Sequence, residues 1–279
     1  MKVTVLIENT APEELTAEHG LSFFINFRGK NYLLDSGSTG AFMENASKQG
    51  IPLEQTDTCF LSHGHYDHSG GFAEMFRKYG ERPIYAMETA GEKYYSGSGG
   101  SVHEIGVPGV LLEEYGHCFH TINKVTQVSE NIYLLPHNTP GLEVIGERTK
   151  LYREEGGELL PDDFGHEMSV VFHTDGGLVV FNSCSHSGAS VILDEVAQVF
   201  PGEKVLAFLG GLHMKGRKKG IEICAFSEEE VQRLAEDLKN RGLERLYTGH
   251  CTGAPGLRLL QKYLGDRVQA LTTGMVIAF

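Results

Sequence analysis

Thr58-Cys59-Phe60-Leu61-Ser62-His63-Gly64-His65-Tyr66-Asp67-His68-Ser69-Gly70-Gly71 is the stretch that decides how this chain is read. Its first residues are an apolar run that predicts a short buried strand, and the strand delivers the chain to three histidines and an aspartate. Imidazole and carboxylate are the ligands that suit zinc, iron or manganese. On an extended or turning backbone His63 and His65 are two apart and project to the same side. They can therefore share one ion while Asp67 and His68 curl toward a second. Gly64 is expected to spare a side chain where the backbone approaches the ions, and Gly70-Gly71 to release the chain into a helix.

Outward from this cluster the pattern is one of strands and helices without strict alternation. Met1 to Glu8 reads as a first strand, its apolar part too brief for a secretory leader. Leu21 to Arg28 and Lys30 to Asp35 read as a hairpin about Gly29. Ala41 to Gln49 and Phe72 to Tyr79 read as helices stopped by Gly50 and Gly80. Periodicity weakens from about 88 to 130, where the Ser- and Gly-rich run 96–101 predicts flexibility and the whole segment an insertion that covers a substrate. Strand patterns resume at Asn131 to Leu135. Met168 to Thr174 and Leu178 to Asn182 form a second hairpin. Ala189 to Phe200 is helical, Lys204 to Leu209 and Glu244 to Thr248 are strands, and Ser227-Glu228-Glu229-Glu230 opens a capped helix that Gly242 ends. This predicts an α/β (α+β) chain, residues 1–279 as one domain, with two packed mixed sheets and helices outside.

Bulk composition is that of an ordinary soluble globular protein. The 279 residues are 41% hydrophobic and 22% charged. Lys+Arg of 24 against Asp+Glu of 37 leaves −13 at pH 7. That charge repels a phosphate backbone, so no nucleic-acid partner is expected. No apolar run approaches the roughly 20 residues of a bilayer span, so no membrane partner is expected either. Five unpaired-looking cysteines point to a reducing, cytoplasmic compartment.

The stretch His63 to His68 resembles the HxHxDH signature of the metallo-β-lactamase superfamily, and other segments extend the likeness. Asp35-Ser36-Gly37, after an apolar strand, looks like the superfamily's early Asp-x-Gly motif. Thr248-Gly249-His250-Cys251-Thr252-Gly253, after a late strand, is similar to its final histidine motif. The resemblance implies an αβ/βα sandwich, two divalent metal ions (zinc first, iron or manganese as alternatives), Asp35 orienting the metal-binding loop, and His250 completing the second metal site.

The middle of the pattern departs from the family. A third histidine and a bridging aspartate are expected there, and the aspartate is missing. Gly165-His166-Glu167 and Ser183-Cys184-Ser185-His186-Ser187-Gly188 lie at the two ends of the second hairpin instead. Cys184-Ser185-His186-Ser187-Gly188, with Gly210-Gly211-Leu212-His213 and Gly249-His250-Cys251-Thr252-Gly253, is similar to the dihydropterin-ribofuranosylaminobenzene 5′-phosphate synthase-like branch, which implies His186 as the middle ligand. Cys184 reads equally as a thiolate ligand or a buried structural cysteine. His166 is open between metal ligand, substrate contact and loop histidine. His213 is a candidate proton donor, and Lys215, with Arg217, Lys218 and Lys219 behind it, a candidate anion clamp. Lys93 and Tyr94 are candidates for covering the substrate. His19, His103, His117, His120, His137 and His173 match no motif and read as structural or exposed.

The resemblance thus implies metal-dependent hydrolysis of a small anionic or phosphorylated molecule, with Asp67 holding the second ion and orienting the nucleophile. A synthase using the same ions as Lewis acids is the second reading. An electron-transfer protein fits less well, because di-iron relatives favour a carboxylate where His65 stands. A ligand-binding member without catalysis would have no need of so full a ligand set. Assembly is left open, a homodimer included.

Overall fold

The computed structural model describes residues 1–98 and 100–279. Gly99, within the run expected to be flexible, lies outside the described residues. The chain forms two compact units. One comprises Met1–Lys124, Asn138–Met168 and Thr272–Phe279, the other Val125–His137 and Ser169–Leu271.

In the first unit, Gly29 at φ +78° turns Ser22–Phe27 back onto Lys30–Leu34 with Phe27 opposite Lys30. Among the described residues, the sheet built on this hairpin runs Val276–Ala278, Lys2–Ile7, Ser22–Phe27, Lys30–Leu34, Thr58–Phe60, Ile84–Met87, Phe119–Ile122. Its first four strands pair antiparallel, and from Lys30–Leu34 onward the pairing is parallel. The inner parallel strands Thr58–Phe60 and Ile84–Met87 are mostly buried, whereas the edge strand Phe119–Ile122 exposes His120 and Thr121. The C-terminal ends of the parallel strands share one edge, where Asp35, His63 and Ala90 follow. Helix Ala41–Lys48 buries Phe42, Met43 and Ala46, and helix Phe72–Tyr79 buries Phe72, Ala73, Met75 and Phe76.

The segment of weak periodicity holds strands Tyr94–Ser96, His103–Glu104 and Phe119–Ile122 and helix Gly109–Tyr115. Tyr94–Ser96 pairs with Leu151–Glu155 in a small second sheet. These strands are too short for a period to register in the sequence.

In the second unit the described sheet runs Val268–Ala270, Arg245–Thr248, Val205–Leu209, Gly177–Phe181, Met168–Thr174, Ile132–Pro136, Thr126–Ser129. Its hairpin is in register from Val170 opposite Phe181 to Thr174 opposite Gly177. Gly177–Phe181, Val205–Leu209, Arg245–Thr248 and Val268–Ala270 are mutually parallel. Helices Ala189–Val199, Glu228–Asn240 and Gly253–Leu264 supply Ile192, Val196, Val231, Leu238, Leu260 and Leu264 to a core shared with Val171, Val180, Phe208 and Leu246. The capping box is present: Glu230 N–H donates to Ser227 Oγ, and Ser227 N–H to the Glu230 carboxylate.

Two elements lie outside the expectations from sequence. Lys215–Lys218 and Ile221–Cys224 form a hairpin, because Lys219 (φ +51°) and Gly220 (φ +79°) make the tight turn that matches strand twist. Helix Gly253–Leu264 went unread because its first turn, Gly-Ala-Pro-Gly, carries breakers; Pro sits where a missing N–H costs nothing. The α/β class, with two mixed sheets and flanking helices, is as expected. No helix among the described residues is long and apolar enough to cross a membrane.

Candidate functional site

Strand Thr58–Phe60 ends three residues before His63, and the backbone then folds on itself. His65 N–H donates to the His63 carbonyl at 3.0 Å, and Tyr66–Ser69 makes one helical turn. This brings the His63 ring to 4.5 Å from that of His65 and 4.2 Å from that of His68. All three rings and Asp67 are buried.

Asp35 organises this turn. It follows strand Lys30–Leu34 in the left-handed region, at φ +58°. Its Oδ1 accepts Ser62 N–H at 2.8 Å, and its Oδ2 accepts the Ser62 hydroxyl at 2.7 Å. The same Oδ2 lies 2.8 Å from His68 Nδ1. A carboxylate only accepts, so His68 carries its proton on Nδ1 and its lone pair on Nε2. Ser62 has given its hydrogen to Asp35, so its Oγ accepts from His63 Nδ1 at 2.8 Å. The His63 lone pair is thereby placed on Nε2 as well. One buried carboxylate sets two tautomers, the arrangement that prepares imidazoles to bind a cation.

His65 is held neutral by its surroundings. Burial above all, then the neighbouring His166, pushes its pKa down to about 3. A neutral imidazole is the form that ligates. Gly64 is needed here for steric room. A Cβ would stand 2.4 Å from the Ala90 carbonyl and 3.0 Å from the Tyr94 ring.

His166 props this turn from the side. Its Nδ1 accepts Gly64 N–H at 3.0 Å, and its Nε2 meets Asp162 Oδ2 at 3.0 Å, so both ring nitrogens are engaged. Tyr94 lies over it, ring centroids 3.9 Å apart, and donates its hydroxyl to the Thr89 carbonyl. Lys93 is exposed and faces Glu154 at 3.7 Å. His19, unassigned in the sequence, lies with Nε2 3.2 Å from Asp67 Oδ2. No motif surrounds it to have drawn notice.

In the second unit, parallel strands again deliver remote segments to one edge. Loop 183–188 follows Gly177–Phe181, loop 210–213 follows Val205–Leu209, and 249–252 follows Arg245–Thr248. Three non-glycine residues there, Ser185, His213 and His250, hold positive φ of 54°, 46° and 49°. Such conformations cluster where side chains must be aimed against local preference. Asn182 Oδ1 accepts Ser185 N–H at 2.7 Å. The His186 and His213 rings lie 4.4 Å apart.

Cys251 ties these loops together. Its thiol donates to the Cys184 carbonyl at 3.5 Å and accepts His213 N–H at 3.3 Å. Gly211 leaves room for it, since a Cβ would come within 2.3 Å of the sulfur. Burial would raise this thiol's pKa, but the side chains of Cys184, His213 and His250 around it bring it well below the usual thiol range. Cys184, His250 and Cys251 present ligand atoms within 4.8 Å of one another. Lys215 faces Glu222 at 3.6 Å, which lessens the charge it can offer an anion. Cys251 sits beside His250 in a motif already singled out, and that adjacency was the available signal.

Buried imidazoles whose Nδ1 atoms are engaged by Asp35 and Ser62, with a neutral His65 and a neighbouring carboxylate, form a donor set that fits a divalent ion such as zinc. Within the second unit, the thiols of Cys184 and Cys251 beside His250 are donors that suit softer metals.

Comparison with known proteins agrees with this chemistry. Residues 15–187 match the model of the metallo-beta-lactamase superfamily. The chain is 25% identical to the 7,8-dihydropterin-6-methyl-4-(beta-D-ribofuranosyl)-aminobenzene-5'-phosphate synthase of Methanocaldococcus jannaschii, over 94% of this chain and 90% of that one. Among solved structures, Tm1679, described as a metal-dependent hydrolase of the beta-lactamase superfamily, aligns with a TM-score of 0.82 at 25% identity, covering 100% of this chain and 99% of its own. A diphosphatase of the PhnP family shares the fold at 15% identity and a TM-score of 0.55, over 100% of this chain and 97% of its own. The two mixed sheets with flanking helices match the αβ/βα sandwich of this group. The chain belongs to the metallo-beta-lactamase superfamily.

Proposed function

We propose that this protein is a metal-dependent hydrolase of a small anionic, phosphorylated substrate. The observation that carries the reading is the buried imidazole cluster of His63, His65 and His68, with His65 held neutral and the Nδ1 partners of His63 and His68 set through Asp35. Ligand roles fall to His63, His65, Asp67, His68, His186 and His250, and the ions are two zincs. Bound there, such ions supply hydroxide from water near neutral pH and polarise the oxygen of the scissile group. Asp67 orients the attacking oxygen. His213 gives a proton to the leaving group, and Lys215 with its basic neighbours draws in the anion. Segment 88–130 covers the substrate. Thiols at every described cysteine fit a reducing, cytoplasmic setting.

The test is metal analysis of the purified chain followed by assay on phosphodiesters, phosphomonoesters, lactones and esters, before and after chelation. Turnover that vanishes with chelator and returns with zinc supports the reading. A metal-loaded protein inert on the whole panel overturns it.

The methanogen relative favours a second reading, in which the same ions act as Lewis acids for condensation of a dihydropterin with a phosphorylated ribosyl-aminobenzene. Incubation with both precursors and mass detection of the joined product decides between the two.

A further inference from the structure

The geometry points to His19 as an additional metal ligand, sharing with Asp67 and His68 the ion that these two hold. The inference rests on the reading that divalent ions bind this chain, and it adds a residue that the HxHxDH signature does not contain.

Three atoms carry it. His19 Nε2 lies 3.2 Å from Asp67 Oδ2, and His68 Nε2 lies 3.7 Å from the same oxygen. Two donors bound at about 2.0–2.2 Å to one four- to six-coordinate zinc stand roughly 3.0–3.4 Å apart. The His19–Asp67 spacing falls in that range, and the His68–Asp67 spacing of 3.7 Å lies just beyond it. The former is longer than the about 2.7–2.9 Å of a charge-assisted N–H···O bond.

The backbone that brings His19 there is held independently of its ring. Gly20, at φ +146°, packs so closely that a Cβ would stand 2.5 Å from the Asp67 carbonyl oxygen. The Ser38 hydroxyl donates to the His19 carbonyl. Glu18 Oε1 accepts Ser38 N–H at 2.9 Å and Thr39 N–H at 3.1 Å. Segment 18–20 is thus fastened to the loop that follows Asp35 and to the main chain of Asp67. The ring itself is half exposed, with 51% of its side chain open to solvent against 11% for Asp67. Such a ligand closes the solvent side of an ion whose other protein donors are buried, and it can be displaced with little disturbance of the core.

The test uses the full chain, stripped by chelation and titrated with zinc against a chromophoric chelator, for wild type, His19→Ala and His19→Gln. Cobalt(II) absorption spectra are recorded in parallel, and circular dichroism confirms the fold. The expectation is two equivalents for wild type. In both variants one equivalent is retained and the other weakens about tenfold or more, with an altered cobalt spectrum. Gln keeps a hydrogen-bond donor for Asp67 but no imidazole, so wild-type affinity in His19→Gln overturns the proposal even if His19→Ala is impaired. Two ions bound equally well by all three proteins overturn it and leave the hydrolase reading standing. A wild type that takes up no divalent metal overturns both.

Discussion

Asp35 and His68 form a buried pair: carboxylate Oδ2 and imidazole Nδ1 are 2.8 Å apart, with neither side chain exposed to solvent. Thirty-odd residues of sequence separate them, and the contact exists because parallel strands bring the ends of Lys30–Leu34 and Thr58–Phe60 to one edge. Through Ser62 the same carboxylate reaches His63.

Replacement of Asp35 by Asn should therefore disturb two histidines at once. An amide offers one acceptor where three hydrogen bonds now converge, and the tautomers of His63 and His68 are released. Zinc affinity is expected to fall about 10- to 100-fold. Chelator competition measures it, and unchanged affinity would show that the carboxylate does not prepare the site.

Ser62→Ala separates the two branches of that network. His63 loses its Nδ1 partner while the Asp35–His68 contact stays. Stability should drop by roughly 1 kcal/mol for the lost buried hydrogen bonding. Zinc binding should weaken less than in Asp35→Asn. Denaturant melts and the same competition assay read both, and a larger zinc defect than that of Asp35→Asn would reverse the order of importance argued for these residues.

Gly210→Ala should be among the most damaging small changes in the second unit. Its φ is +140°, and a Cβ would fall 1.9 Å from the Asn182 carbonyl oxygen. Strain and displacement together should cost roughly 2–5 kcal/mol. Gly50→Ala is the control: φ is +66° with nothing within 4 Å, so only the left-handed backbone penalty of about 1–2 kcal/mol applies. Equal melting temperatures for the two variants would contradict the close approach of loop 210–213 to Asn182.

Metal-free protein should lose stability on acidification in a window set by His65. Its folded pKa is lowered to about 3 from an ordinary value of 6.5. Between those values the unfolded chain binds the extra proton, so this contribution is present in full above pH 6.5 and declines as pH falls toward 3. The loss amounts to a few kcal/mol at most. Urea midpoints of wild type and His65→Asn at pH 7.5 and pH 5 test it, the variant having the shallower dependence. Parallel slopes would mean that His65 is not held neutral by the fold.

How much was legible beforehand depends on the range of the interaction. The 22–34 hairpin, helix Phe72–Tyr79 and the Ser227 capping box were read from spacing, because turn glycines, amphipathic period and caps act within a few residues. The short strands Tyr94–Ser96 and Leu151–Glu155 were not, since each is a strand only by virtue of a partner far along the chain. The hairpin Lys215–Cys224 was missed because its charges, rather than its Lys219-Gly220 turn, drew the reading.

The same division runs through the candidate ligands. His63, His65, Asp67 and His68 stand within one turn of chain, so their chemistry and the family they signal were determined by local sequence alone. Which nitrogen of His63 and His68 carries the lone pair, why Gly64 must lack a side chain, and how His166 spends both ring nitrogens were decided only in three dimensions. So was the approach of His19 to Asp67. Proton position, steric room and desolvation belong to groups packed together, and packing of distant segments leaves no periodic trace in a single chain.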